Sequence, residues 1–141
     1  MSIYMDQEKI IQIQGLEQEF NQLNQQLQLI EQNILEIQEL HRCLDEIEKS
    51  DEKEMLANLG KGIYIPVEIK DKKLTVEVGD KNFVRKSIPD TKKIIEEQNE
   101  KLVLSKKDAE ERLMQLQSEI ECLLYHDHEE DKKKVNKKEE D

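Results

Sequence analysis

From Ile13 onward, apolar side chains recur at alternating steps of three and four: Ile13, Leu16, Phe20, Leu23, Leu27, Ile30, Ile34, Ile37 and Leu44, with His41 the one polar member. That spacing is the heptad seam of a coiled-coil helix. Gln, Glu and Asn fill the positions between, so the stripe is narrow and needs a partner to bury it. Leu29, Leu35, Leu40 and Ile47 fall off the seam and predict extra contacts near the base of this arm. A second periodic run carries Ile88, Ile95, Leu102, Ala109, Leu116 and Leu123 at seven-residue intervals. Its companion positions are Lys92, Asn99, Lys106, Leu113 and Ile120, so the apolar seam is complete only in the second half. Pro89, followed by Asp90 and Thr91, marks the start of that helix, which is expected to run to about Tyr125.

Between the arms the period drops from helical to two. Ile63, Ile65, Val67 and Ile69 alternate with Tyr64, Pro66, Glu68 and Lys70, and Leu74, Val76 and Val78 alternate with Thr75 and Glu77. Gly60-Lys61-Gly62 and Gly79-Asp80 have hairpin composition. With Glu54–Asn58 before the first break and Asn82–Lys86 after the second, four short strands make two hairpins. The expected organisation is an N-terminal coiled-coil helix over 1–51, a double-hairpin module over 52–88, a C-terminal coiled-coil helix over 89–126 and a charged, disordered tail over 127–141.

The fold class is therefore α+β: two long helices forming an antiparallel coiled coil, joined by two β-hairpins. That pairing sets Ile13–Phe20 beside Ile120–Tyr125 and His41 roughly opposite Asn99, a polar layer able to fix register. Isolated hairpins are marginal in water, so their strand edges should find partners in other subunits.

Composition narrows the function. The chain has 141 residues, 39% charged, with Phe20, Phe83, Tyr4, Tyr64 and Tyr125 as its only aromatics, too few to fill a compact globule. A net charge of −11 disfavours nucleic acid, which needs clustered Lys and Arg. The absence of a long apolar run argues against a membrane span and for a cytoplasmic protein. Cys43 and Cys122 are far apart and are read as reduced thiols. His126-Asp127-His128-Glu129 has ligand chemistry but lies in the charged tail, so no metal site is expected. Asp71-Lys72-Lys73 reads as a solvated turn. No cofactor motif and no convergent set of polar groups is present, so no enzymatic activity is expected.

The centre of the chain, Leu59-Gly60-Lys61-Gly62-Ile63-Tyr64-Ile65-Pro66-Val67-Glu68-Ile69 with Leu74-Thr75-Val76-Glu77-Val78-Gly79 and Phe83-Val84-Arg85-Lys86-Ser87, resembles an alpha-class prefoldin subunit, and the likeness extends from about Asp6 to Leu124. The alpha class has two hairpins between its helices and the beta class one. The resemblance implies a hexamer of two alpha-class and four beta-class subunits whose hairpins form an oligomeric β barrel. It implies that the coiled-coil tips hold unfolded polypeptides and deliver them to a group II chaperonin, with no cofactor. A filament-forming variety of the alpha class is the alternative. On this reading Ile63, Ile65, Val67, Ile69, Leu74, Val76, Val78, Phe83 and Val84 serve subunit assembly. Ile3, Tyr4, Ile10, Ile11, Leu124 and Tyr125, which lie off the seam, are the client-binding candidates.

Overall fold

The computed structural model describes the backbone of residues 6–139 and the side chains of residues 6–125. Helix α1 (Gln7–Lys49) is followed by strands β1 (Glu54–Gly60), β2 (Ile63–Glu68), β3 (Leu74–Gly79) and β4 (Asn82–Lys86), then by helix α2 (Ile88–Glu139). The chain divides into two compact units, Met1–Gln32 with Val103–Asp141, and Asn33–Leu102.

Every seam residue anticipated in α1 is at least half-buried, His41 included, and so is every one in α2. In the first unit Ile13, Ala109 and Leu116 are buried, and the carboxylate of Glu19 accepts from the guanidinium of Arg112 at 3.0 and 3.2 Å. Lys106 meets Glu31 at 3.9 Å there. Rising numbers on α1 thus meet falling numbers on α2, as an antiparallel pair requires.

In the second unit Leu44, Ile88 and Ile95 form a buried cluster, with Ile37, Ile47 and Leu74 packed against it. At two polar seam positions of α2, Lys92 in this unit and Lys106 in the first, ion pairs stand in place of apolar layers. Lys92 holds both Asp45 and Glu48, the latter at 3.0 Å. These hydrogen bonds raise the Lys92 ammonium above its ordinary value, and the bond from Lys92 holds the Asp45 carboxyl below its own. Of the off-seam residues of α1, only Ile47 makes the expected additional contact. Leu29, Leu35 and Leu40 are exposed, since none of them falls on the seam or within the cluster at Leu44.

Helix starts follow local chemistry. Asp6 Oδ1 accepts from the Glu8 N–H at 3.3 Å at the head of α1. Ser87 caps α2, its Oγ accepting from the Asp90 N–H at 3.2 Å while its carbonyl takes the Thr91 hydroxyl at 2.8 Å. At its other end α2 continues to Glu139, beyond the expected stop near Tyr125. The apolar period ends there, but Lys and Glu are good helix formers and sustain the backbone hydrogen bonding without it.

The strands make two separate antiparallel sheets, β1 with β2 and β3 with β4. Both turn on the same device. Lys61 and Gly62 in one loop, and Asp80 and Lys81 in the other, have positive φ at both central positions, the type I′ geometry that matches strand twist. Just before each turn the register shifts, between Asn58 and Gly60 and between Glu77 and Gly79, where φ is +106° at Gly60 and +128° at Gly79. Those values suit glycine, and the bulges they permit repeat in both hairpins.

Asp71-Lys72-Lys73 is not a freely solvated turn. Lys72 Nζ donates to the carbonyls of Glu48 and Ser50 at 3.1 and 3.0 Å, capping the C-terminal end of α1. Asp71 accepts from Arg85 Nη2 at 2.7 and 2.8 Å and from the Lys73 N–H at 2.9 Å. The Arg85 guanidinium, then the Lys73 amide, hold the Asp71 carboxyl below the usual carboxylate range. A short turn therefore ties the second hairpin to the first helix.

Candidate assembly and client-binding surfaces

The hairpin registers sort the central residues onto faces. Met55 pairs with Val67 and Ala57 with Ile65, so one face of the first sheet is apolar, while Leu56, Pro66 and Tyr64 share the opposite face. In the second sheet Val76 pairs with Val84 on the face that also carries Leu74. Among the residues expected to serve assembly, Ile63, Ile65, Val78, Phe83 and Val84 are exposed, and Val67, Ile69 and Val76 are half-covered. Leu74 is engaged within the chain, against the Leu44, Ile88 and Ile95 cluster. Exposure on this scale in two-stranded sheets leaves apolar area and unpaired backbone groups together, the combination that drives strand addition.

Of the client-binding candidates, Ile10, Ile11, Leu124 and Tyr125 are exposed in the first unit, whereas Ile3 and Tyr4 lie outside the described residues. The same unit exposes Val103, Leu104 and Met114, which the sequence reading did not single out. Their signal was available, since each is a large apolar residue off the heptad positions of α2.

His41 and Asn99 line one depression of about 370 Å³ together with Ile37, Gln38, Ile95, Glu96 and Glu100. His41 Nδ1 lies 3.3 Å from Asp45 and Nε2 lies 3.3 Å from Glu96. The Asn99 Oδ1 is buried without a hydrogen-bond partner. The polar layer thus has its two members side by side, but the bonds of the imidazole go to carboxylates and not to the amide.

Among the described residues no group of His, Cys, Asp and Glu is arranged to hold a metal ion, and no helix is long and apolar enough to cross a membrane. The side chains of His126 and His128 lie outside the described residues. Cys43 and Cys122 are free thiols.

Two helices linked by two bulged hairpins constitute a specific architecture, and residues 16–126 match the prefoldin subunit family. The chain belongs to that family. The fold of this prefoldin subunit is similar to a filamentous PFD from Methanocaldococcus jannaschii seen by cryo-electron microscopy, at 22% identity and a TM-score of 0.51. That likeness covers 84% of this chain and 93% of the other. No curated protein matches the chain. Membership accounts for exposed apolar strands that would be a liability in a lone monomer: prefoldin subunits assemble with one another.

Proposed function

We propose that this chain is an alpha-class prefoldin subunit acting as a cytoplasmic co-chaperone. Two alpha-class subunits would join four beta-class subunits through their hairpins, closing the exposed strands into an oligomeric β barrel. The observation that carries the class is the presence of two hairpins, β1–β2 and β3–β4, between the helices of a prefoldin-family chain. Non-native polypeptides would be held by the exposed apolar side chains Ile10, Ile11, Leu124 and Tyr125 of the first unit, together with Ile3 and Tyr4 of the preceding sequence, and passed to a group II chaperonin. Several weak apolar contacts on separate subunits add through effective concentration, so no one contact needs high affinity. A high density of charge around them keeps the holder dispersed. No step in this cycle calls for catalysis or a cofactor.

The test is suppression of aggregation of reduced, unfolded lysozyme by the assembled complex. Deleting residues 1–11 together with 124–141 abolishes suppression while the particle mass falls only by the deleted segments. Undiminished suppression would remove the client-binding assignment. A second reading, a self-assembling filament of the same fold without client activity, draws on the likeness to a filamentous PFD. Long particles formed by the chain alone, inert toward lysozyme, would favour it.

A further inference from the structure

The two free edges of the first sheet are not equivalent. In an antiparallel pair the backbone groups of successive residues point alternately toward the partner strand and away from it. The Ile69 N–H donates to the Lys53 carbonyl at 2.6 Å, so Ile69 points inward, as do Val67 and Ile65 by alternation. Tyr64, Pro66 and Glu68 then point outward. The type I′ loop at Lys61 and Gly62 gives the same phase independently, since it closes on an inward pair of Gly60 and Ile63. Pro66 has no N–H, so the outer edge of β2 carries a gap midway between the donors of Tyr64 and Glu68. The outer edge of β1 is complete, with donors at Glu54, Leu56 and Asn58.

The same phasing applied to β4, from the loop at Asp80 and Lys81, turns Phe83 and Arg85 outward. An antiparallel β1·β4 pairing that matches outward residues sets Leu56 against Phe83 and Glu54 against Arg85, with Met55 opposite Val84 between them. Leu56 and Phe83 are 62% and 63% exposed in the single chain, so the pairing would cover two of its barest side chains. It also sets the Glu54 carboxylate against the Arg85 guanidinium, whose Nη2 is already engaged by Asp71, and opposed charges and opposed apolar residues are the favourable cross-strand combinations. Shifting by two residues would instead set Leu56 against Arg85.

We infer that the sheet is extended between subunits on the outer edge of β1, by β4 of a second copy of this chain, and that Pro66 closes the β2 edge to main-chain pairing. This rests on the reading that the hairpins carry assembly, and it adds a direction to it.

Proline substitution reads the edge directly, because an outward N–H contributes nothing to the hairpin itself. The full chain, its Leu56→Pro, Leu56→Val and Glu68→Pro variants are compared by sedimentation at equal concentration, with far-ultraviolet circular dichroism reporting folding. The wild type, L56V and E68P form a dimer or larger particle, while L56P is a monomer of unchanged helix content. A monomeric wild type would overturn the pairing between copies, and a wild type that stays monomeric on mixing with beta-class subunits would overturn the assembly reading itself. An assembled wild type with an assembled L56P, or with a monomeric E68P, would overturn only the edge assignment. Should L56P lose helix content, the decision passes to cross-linking in a Cys43→Ser, Cys122→Ser background. An L56C copy mixed with an F83C copy forms a disulfide-linked heterodimer on oxidation. Cross-linking of L56C only to itself would reassign the partner strand to β1 and defeat the proposal.

Discussion

Leu116 is the one fully buried large side chain among the described residues, at 0% exposure, whereas Met114, two positions earlier on α2, is 69% exposed. The heptad seam accounts for both, since Leu116 is a seam position and Met114 is not. Replacing Leu116 with Ala removes the transfer energy of the side chain and leaves a cavity that neighbouring layers only partly fill, a loss of about 3 kcal/mol. A chain of this length has an unfolding entropy of about 0.3 kcal/mol/K, so the midpoint should fall by about 10 °C. Met114→Ala should stay within about 0.5 kcal/mol of wild type. Thermal circular dichroism at fixed protein concentration measures both, the concentration being held because assembly contributes to apparent stability. Hydrogen exchange locates the loss, which should fall first on amides of the first unit, residues 6–32 and 103–125. Equal destabilisation by the two substitutions would refute the assignment of the seam.

Three further outcomes follow from polar contacts. Lys72→Ala removes the donor shared by the Glu48 and Ser50 carbonyls, so exchange in the last turn of α1 should accelerate and stability drop by about 1 kcal/mol. The Asp71 carboxyl, held below its ordinary value by Arg85, contributes stability that is present above about pH 4 and lost as pH falls through its folded pKa. Carboxyl nuclear magnetic resonance should place its titration below that of an Asp without such partners, and R85Q should move it toward the ordinary range, with the Lys73 N–H bond remaining. Asn99→Leu relieves an unpartnered buried oxygen and should stabilise the chain by about 1 kcal/mol, while loosening the register of the seam, seen as additional cross-linked species between cysteines placed on the two helices.

The helices were legible because a 3.5-residue period survives a polar background: every seam residue read from the sequence is at least half-buried. The hairpins were legible from alternation and from glycine at the two bulges. What the period leaves open is what its polar members do. Lys92 and Lys106 read as gaps in an apolar stripe, and only the apposition of the helices shows them reaching Asp45, Glu48 and Glu31. Lys72 caps a helix end more than twenty residues earlier, a contact with no local signature. The exposure of Leu29, Leu35 and Leu40 is not legible, because an off-seam leucine looks the same in sequence whether or not its own chain covers it. The end of α2 is not legible from the seam because apolar period and helix propensity fail at different residues. Ser87, by contrast, followed by Asp90 three residues on, was a capping signal open to reading.

We assign assembly into a chaperone particle to the double-hairpin module, Glu54–Lys86. Native mass measurement of the complex that co-purifies with the full chain from its own cells tests it most directly. The expected result is a hexamer containing two copies of this chain and four beta-class subunits, lost when Phe83 and Val84 are both changed to Asp. A particle built of this chain alone, or one that survives those substitutions unchanged, would contradict it.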